Sequence, residues 1–461
     1  MTVNVVILAA GKGTRMNSER PKVLHELGGK SMLAHVIDTA GKLAGARIHV
    51  VIGHGGESVR ETFAHQPYLN WVTQHEQLGT GHAVAQAVPH LDDADDSLVL
   101  VLCGDVPLIS LDSLQDLTAN AGPDRLALLT LKTSDPTGLG RIIRDPQGEV
   151  SSIVEEKDAT PEQREIGEIN SGIMALPTVR LKHWLASLGT DNKQGEYYLT
   201  DVIAMAVREN CRIYTRTIAD EFEVQGVNDK LQLSRLERHY QRCLAEQLLK
   251  QGVSVADPDR LDIRGTLTVG KEVSIDVNAV FEGDVKLADG VKIGPNVTIK
   301  DTTVGSHTEI LANSVIESAE LADHCSVGPF ARLRPGACLA DRVKVGNFVE
   351  IKNSTLGPGS KANHFAYIGD ADLGSAVNVG AGTIFCNYDG ARKHRCTIGD
   401  DVFIGSNSTL VAPVAIANGA FVAAGSTINS DVSANELAVG RGKQRNISGW
   451  KRPTKNQGTS D

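Results

Sequence analysis

The chain has 461 residues, 41% of them hydrophobic and 22% charged, with a formal net charge of −10. That balance is ordinary for a soluble globular protein, and the length is too great for one core, so two or three domains are expected. No apolar run reaches the ~18 residues of a membrane span, and the acidic charge argues against wholesale binding of a nucleic-acid backbone.

The opening stretch Met1-Thr2-Val3-Asn4-Val5-Val6-Ile7 is expected to enter a strand directly, without a signal peptide. Residues 4–10 and 97–102 read as fully apolar, buried strands of the parallel type. Between them the pattern predicts helices over 31–44, 57–65 and 80–87 and strands over 47–53 and 70–74. This alternation indicates a doubly wound α/β domain over residues 1–230. Leu233, Leu236, Tyr240, Leu244 and Leu248 then mark an amphipathic linker helix over 231–251, stopped by Gly252.

From Val269 to Ile428, small aliphatic residues recur every six positions, as in Ile275, Phe281, Leu287, Ile293 and Ile299. A period of six fits neither a helix nor an alternating strand. It fits a parallel β-helix whose aliphatic side chains stack inward from coil to coil at roughly 4.8 Å, with Gly or Asn at the corners. A β-sandwich of short strands is the alternative. The repeat fills most of 252–461, and the polar tail after Trp450 is expected to be loose.

Chemistry is concentrated where the first strand empties into Leu8-Ala9-Ala10-Gly11-Lys12-Gly13-Thr14-Arg15-Met16. Its glycines let backbone N–H groups approach a phosphate, while Lys12, Arg15 and, downstream, Lys22 add positive charge. Neither the GxxxxGK[ST] nor the GxGxxG spacing is present, so a plain strand-to-helix turn is the competing reading. The second apolar strand ends in Cys103-Gly104-Asp105, which places a carboxylate beside that loop. It is either a ligand for a hard cation such as Mg²⁺, with Asn228 as a second oxygen donor, or a turn-forming Asp. Gln74 with Leu78-Gly79-Thr80-Gly81 suits reading of a pyrimidine edge, and Glu155 and Asn170 suit sugar hydroxyls or are ordinary surface polar groups.

On the repeat, Cys386-Asn387-Tyr388-Asp389-Gly390 interrupts the period between about 385 and 397 and must protrude as a loop. Polar residues gather around His364 in the same region: Arg332, Arg334, Lys352, Asn363, Tyr367 and Asn378. At about eighteen residues per coil they fall on adjacent turns. A histidine titrating near neutrality can take a proton from an attacking amine, and Arg334 and Lys352 can hold a phosphate. The competing readings are a surface histidine, a purely oligomerising module and a non-catalytic scaffold. The seven cysteines show no CxxC pair or zinc spacing and read as reduced thiols of a cytoplasmic protein.

The set LAAGKGTRM, PKVL, EQLGTGHA, GDVPL, GRI, EKDAT and EINSGI, followed by hexapeptide repeats, resembles one family over essentially the whole chain. It is the bacterial bifunctional N-acetylglucosamine-1-phosphate uridyltransferases and glucosamine-1-phosphate acetyltransferases. The resemblance implies a Rossmann-like nucleotidyltransferase domain, a linker helix and a left-handed parallel β-helix. It implies UTP, acetyl-CoA and sugar phosphates as substrates, Mg²⁺ as cofactor, and a homotrimer with sites shared between chains. Leu8, Ala9, Ala10, Gly11, Lys22, Gln74, Gly79, Thr80, Cys103, Gly104 and Asp105 would hold the nucleotide, with Arg15 and Lys22 catalytic. Cys103 stands where the family often has Tyr, so its contact would run through backbone atoms. Asp105 and Asn228 would hold Mg²⁺, and Gly140, Glu155, Asn170 and Asn228 the amino sugar phosphate. In the β-helix His364 would be the general base, with Arg334, Lys352, Tyr367 and Asn378 on the sugar phosphate. Ala381, Asn387, Tyr388, Ser406, Ala424 and Arg441 would line the acetyl-CoA groove. Asn363 and Phe365 flank His364 where Gly and Leu are commoner.

Overall fold

The computed structural model describes residues 2–92 and 94–453. The chain divides into two compact units, one formed up to residue 246 with 263–265, the other by 247–262 and the chain from 266 on. The expected loose tail is irregular at 451–453 and otherwise lies outside the described residues.

In the first unit, strand Val3–Ala9 pairs in parallel with Ala46–Ile52 and Leu98–Cys103. Alternate side chains leave opposite faces of the sheet. Val5, Ile7, Leu100 and Leu102 therefore join one core with Val36 and Ile37 of helix Met32–Ala40. Val6, Val99 and Val101 join another with Val84 and Ala87 of helix Thr80–Ala87. A strand buried from both sides favours apolar residues at every position, and the buried Asn4 is accommodated by donating to Leu98 O at 3.4 Å. The sheet order is Arg212–Ile218, Arg125–Lys132, Glu168–Pro177, Leu98–Cys103, Val3–Ala9, Ala46–Ile52, Asn70–Thr73. Glu168–Pro177 runs antiparallel to both neighbours and slips register between Asn170 and Met174. Such a bulge bends the strand and re-aims its side chains; here it lies beside the candidate site described below.

The first helix is shorter than its hydrophobic pattern. Ser31 is the N-cap, accepting from Ala34 N, and the helix stops at Ala40, where Gly41 N bonds Ile37 O. Helix Lys230–Lys250 buries Leu236 against Met16, Leu27, Met32 and Val227. Its Gln241, also buried, exchanges two hydrogen bonds with the backbone of Ile263 at 2.7 and 2.8 Å. No helix among the described residues is long and apolar enough to cross a membrane.

The second unit is a parallel β-helix. Ile275, Ile293, Ile310, Val327 and Val345 lie in register on successive coils, 17 or 18 residues apart. The columns that begin at Phe281 and Leu287 stack the same way, and all of these side chains are buried. The step lengthens only across the insertion, where Val379 pairs with Ile404. Corners are left-handed at Asn278, Asn296 and Asn313, as asparagine permits. The next three corners depart from the expected Gly or Asn. Phe330, Phe348 and Phe365 hold φ of 56°, 55° and 45° there. Their rings stack at 5.3 and 5.1 Å and stand half exposed. Each such corner carries strain on the order of 1 kcal/mol.

His49 is the least comfortable buried group. It sits mid-strand opposite Val6, 2% exposed, and neither ring nitrogen has a hydrogen-bond partner among the described residues. Burial, then His90 and Arg47, push its pKa down to about 4 from an ordinary 6.5. Below pH 6.5 the unfolded chain therefore binds a proton that the folded one refuses, and stability falls as pH drops toward 4. His49→Leu removes that loss. Thermal melts at pH 7 and pH 5 should show the variant gaining on the wild type as pH falls; an unchanged difference would refute this account.

Candidate active sites

The loop after strand Val3–Ala9 turns through Gly13, at φ 59°, where a Cβ would press on Lys22 Cβ at 2.7 Å. That close approach seats Lys22 beneath the loop. Its ammonium pairs with Asp105 Oδ2 and lies 3.3 Å from Asn228 Oδ1, which also accepts from Arg15 Nη2 at 2.8 Å. Asn228 is brought to this point because Val227 N donates to Asp105 O at 3.0 Å. Two hard oxygen donors thus converge on one cationic atom. This set fits Mg²⁺, which takes one or two protein oxygens and fills the rest of its shell with phosphate and water. No group of three His, Cys, Asp or Glu residues suited to a metal occurs among the described residues.

Two cavities meet at this cluster. One, of about 340 Å³, is lined by Leu8, Ala9, Ala10, Gly11, Lys22, Gln74, Gly79, Thr80, Cys103 and Asp105, together with Gln77 and Glu196. The other, of about 690 Å³, is lined by Arg15, Cys103, Asp105, Asn170, Asn228 and residues of the loop 134–139, among others. Cys103 and Asp105 line both. Gly104 lies behind them, its N bonded to Leu8 O at 2.9 Å. In the first cavity, Gln74 is held by Nε2 donating to Gly79 O at 3.2 Å and lying 3.0 Å from His82 Nδ1.

Gly140, Glu155 and Asn170 adjoin one another. Asn170 N donates to Gly140 O at 2.8 Å, and a Cβ on Gly140 would lie 3.5 Å from the Glu155 carboxylate. Burial raises the Glu155 pKa, partly offset by its hydrogen bond from Thr200 at 3.0 Å. Asn170 lines the larger cavity, whereas Gly140 and Glu155 do not. The fully buried Arg141 fixes this loop by donating to Leu139 O and, at 2.7 Å, to Glu156.

On the β-helix, Asn347, His364, Ala381, Ser406 and Ala424 occupy the same corner of successive coils, each just before a left-handed residue. Arg441 joins this column by donating to Ala424 O at 2.6 Å. His364 Nδ1 lies 2.7 Å from Asn347 Oδ1, so Nδ1 carries the proton and Nε2 the lone pair. Past this corner the next face carries Tyr367, beside Glu350 below it and Ile384 above. Arg334 and Lys352 share one column there, and Glu350 holds Arg334 at 2.7 Å. Asn378 stands on the preceding face, beside Lys361.

The insertion brings in Lys393, which the sequence reading missed. Its ammonium beside Lys352 is the main cause lowering the Lys352 pKa. Two cations held side by side are primed for an anion. The loop carries hydrogen bonds of its own. Asp389 accepts from Ala391 N, Arg392 N and His394, and these bonds hold its carboxyl well below the usual range. Tyr388, expected to face ligand, is 61% exposed and donates to Gly390 O of its own loop. Asn387 instead turns inward, donating to Asp370 at 2.5 Å and Tyr367 at 3.3 Å.

Residues 5–148 match the MobA-like NTP transferase domain family, 263–361 the GMPPB C-terminal domain, and 395–430 the bacterial transferase hexapeptide (six repeats). Among the relatives that match from end to end are three, each named bifunctional protein GlmU. That of Stutzerimonas stutzeri (strain A1501) is 57% identical, over 99% of this chain and 100% of its own. That of Marinobacter nauticus is 56% identical, over 98% and 99%. That of Azotobacter vinelandii is 58% identical, over 99% of each.

Cys103 faces both cavities, yet burial first and the Asp105 carboxylate second push its thiol up to about 12. Since the thiolate is the reacting form, iodoacetamide at pH 8 should leave Cys103 unmodified by peptide mass spectrometry. Asp105→Asn removes the second cause and should raise the labelling rate; rapid labelling of the wild type would contradict the assignment.

Proposed function

The chain belongs to the family of bifunctional GlmU proteins, and we propose how its residues divide that family's two transfers. The enzyme is a glucosamine-1-phosphate N-acetyltransferase and a UDP-N-acetylglucosamine pyrophosphorylase. Acetylation yields N-acetylglucosamine-1-phosphate, and uridylyl transfer then yields UDP-N-acetylglucosamine and pyrophosphate.

Uridylyl transfer is assigned to the first unit. UTP fills the cavity lined by Leu8–Gly11 and Gln74, and the sugar phosphate fills the larger one. The observation that carries this reading is the shared wall of Cys103 and Asp105, and the α-phosphorus is assigned to the junction of the two cavities. There a phosphate oxygen of the sugar phosphate attacks and pyrophosphate leaves. Positioning and charge neutralisation supply most of the rate in such transfers. Loop N–H groups and Lys22 grip the phosphates, Arg15 faces the incoming sugar phosphate, and Asn170 orients the sugar. Mg²⁺, held by Asp105 and Asn228, would neutralise charge on the phosphate oxygens when bound.

Acetyl transfer is assigned to the β-helix, with acetyl-CoA laid along the column Ala381, Ser406 and Ala424 and Arg441 at its end. His364 Nε2 takes the proton as the glucosamine nitrogen attacks the thioester carbonyl. The C–S bond breaks, and the proton passes to the leaving thiolate. Arg334, Lys352 and Lys393 hold the sugar phosphate, with Tyr367 and Asn378 beside it. We further propose a homotrimer built through the β-helix. The half-exposed ladder of Phe330, Phe348 and Phe365, next to His364, supports burial against a second copy. The seven cysteines form no disulfide among the described residues, which fits a reducing cytoplasm.

Assaying the two half-reactions separately tests this division. His364→Ala should lower acetyl transfer by about a hundredfold or more and leave uridylyl transfer intact, and Asp105→Ala should do the reverse. Parallel losses in both assays would overturn the assignment. Gly369 gives a sharper probe, because a Cβ there would run into the Tyr367 hydroxyl and lie 2.7 Å from Asn387 Nδ2. Gly369→Ala should therefore impair acetyl transfer alone, by about tenfold or more.

A further inference from the structure

Asp370 is 6% exposed and holds a left-handed corner at φ 49°. The corresponding corners two and three coils below are Gly336 and Ser318, residues with little side chain. A carboxylate buried at such a place needs donors, and it has them. Asn353 Nδ2 donates to Oδ1 and Asn387 Nδ2 to Oδ2, each at 2.5 Å. Its backbone takes part as well, since Cys396 N donates to Asp370 O at 3.1 Å. Asn387 and Cys396 are the two ends of the insertion, so one residue fastens the loop at both its departure and its return.

The polarity of the chain of hydrogen bonds matters more than its strength. The two hydrogens of Asn387 Nδ2 are used on Asp370 and on the Tyr367 hydroxyl oxygen, at 2.5 and 3.3 Å. Tyr367 therefore accepts on its inner side, and its own hydrogen is left to point outward. Gly369 clears the space in which this meeting occurs. Resting on the acetyl-transfer reading above, we propose that Asp370 is a positioning residue for that reaction. Acting through Asn387, it fixes the Tyr367 hydroxyl as a hydrogen-bond donor toward an anionic or carbonyl oxygen of the substrates. It also holds the loop that delivers Lys393 beside Lys352.

Asp370→Asn keeps size and shape but leaves one accepting oxygen for two donors, Asn353 Nδ2 and Asn387 Nδ2, and sets an amide N–H₂ against the other. Acetyl transfer should fall by about a hundredfold, the scale expected when a reacting or orienting group is displaced by about 1 Å, with uridylyl transfer retained. Adding Asn387→Asp restores the pair between 370 and 387 with the roles exchanged, but a carboxylate at 387 only accepts and draws the Tyr367 hydrogen inward. The double variant should therefore regain the loop's protection without regaining acetyl transfer, a split that a merely structural role for Asp370 would not produce. Asp370→Asn within threefold of wild type, or a double variant that recovers the activity, would overturn the proposal. Amide hydrogen exchange over 387–395 gives an independent readout, rising in Asp370→Asn and returning in the double variant. If the wild type lacked acetyl transfer, the functional reading would fail, and unchanged exchange would then overturn the positioning role by itself.

Discussion

Coil stacking is the constraint on which the second unit depends. Once Ile275, Ile293 and Ile310 must lie directly above one another, every outward residue is tied to a column as well. Positions 17 apart become neighbours whatever their chemistry. The register that buries the aliphatic residues thus also aligns Asn347 with His364 and Asp370 with Asn387. The single lengthened step does not disturb this. The extra residues leave the helix and re-enter it, and the inward column closes over them at Val379 and Ile404. The geometry of the candidate site is in this sense a by-product of core packing.

The first unit reaches a similar result by another route. Its parallel strands end together, so the loops after Val3–Ala9 and Leu98–Cys103 must lie side by side. What the strands do not dictate is the third side of the cluster. Asn228 arrives from a distant segment, held by the bond from Val227 N to Asp105 O and by its own N donating to Gln232 Oε1 at 2.7 Å. The antiparallel strand Glu168–Pro177 contributes its bulge at Asn170. A mixed sheet lets one strand enter the site against the direction of the others, which widens the choice of side chains that can face the junction of the two cavities.

Much of this was legible in the residues. The period of six predicts the inward columns, and Leu8–Gly11, Gln74, Gly79 and Thr80 share one cavity as loops at strand ends should. Asp105 and Asn228 both reach the Lys22 ammonium. The parts that were not legible depend on strand direction and side-chain aim. Local hydrophobicity is the same for a strand run either way, so Glu168–Pro177 carried no sign of its orientation. Lys393 sits in a segment outside the repeat, where periodicity says nothing. Tyr388 and Asn387 are adjacent in sequence yet point oppositely, and only the Asp370 carboxylate one coil away explains which turns inward. Counting back one coil from Asn387 and from His364 would have found Asp370 and Asn347.

The phenylalanine corners set local comfort against collective fit. A left-handed backbone suits asparagine or glycine, and Phe330, Phe348 and Phe365 accept torsional discomfort to present a stack of rings. An engineer seeking a hardier lone chain would exchange them for asparagine. On the trimer reading, the same change would strip the adhesive from the outer wall, so thermostability and quaternary cohesion would pull the sequence in opposite directions.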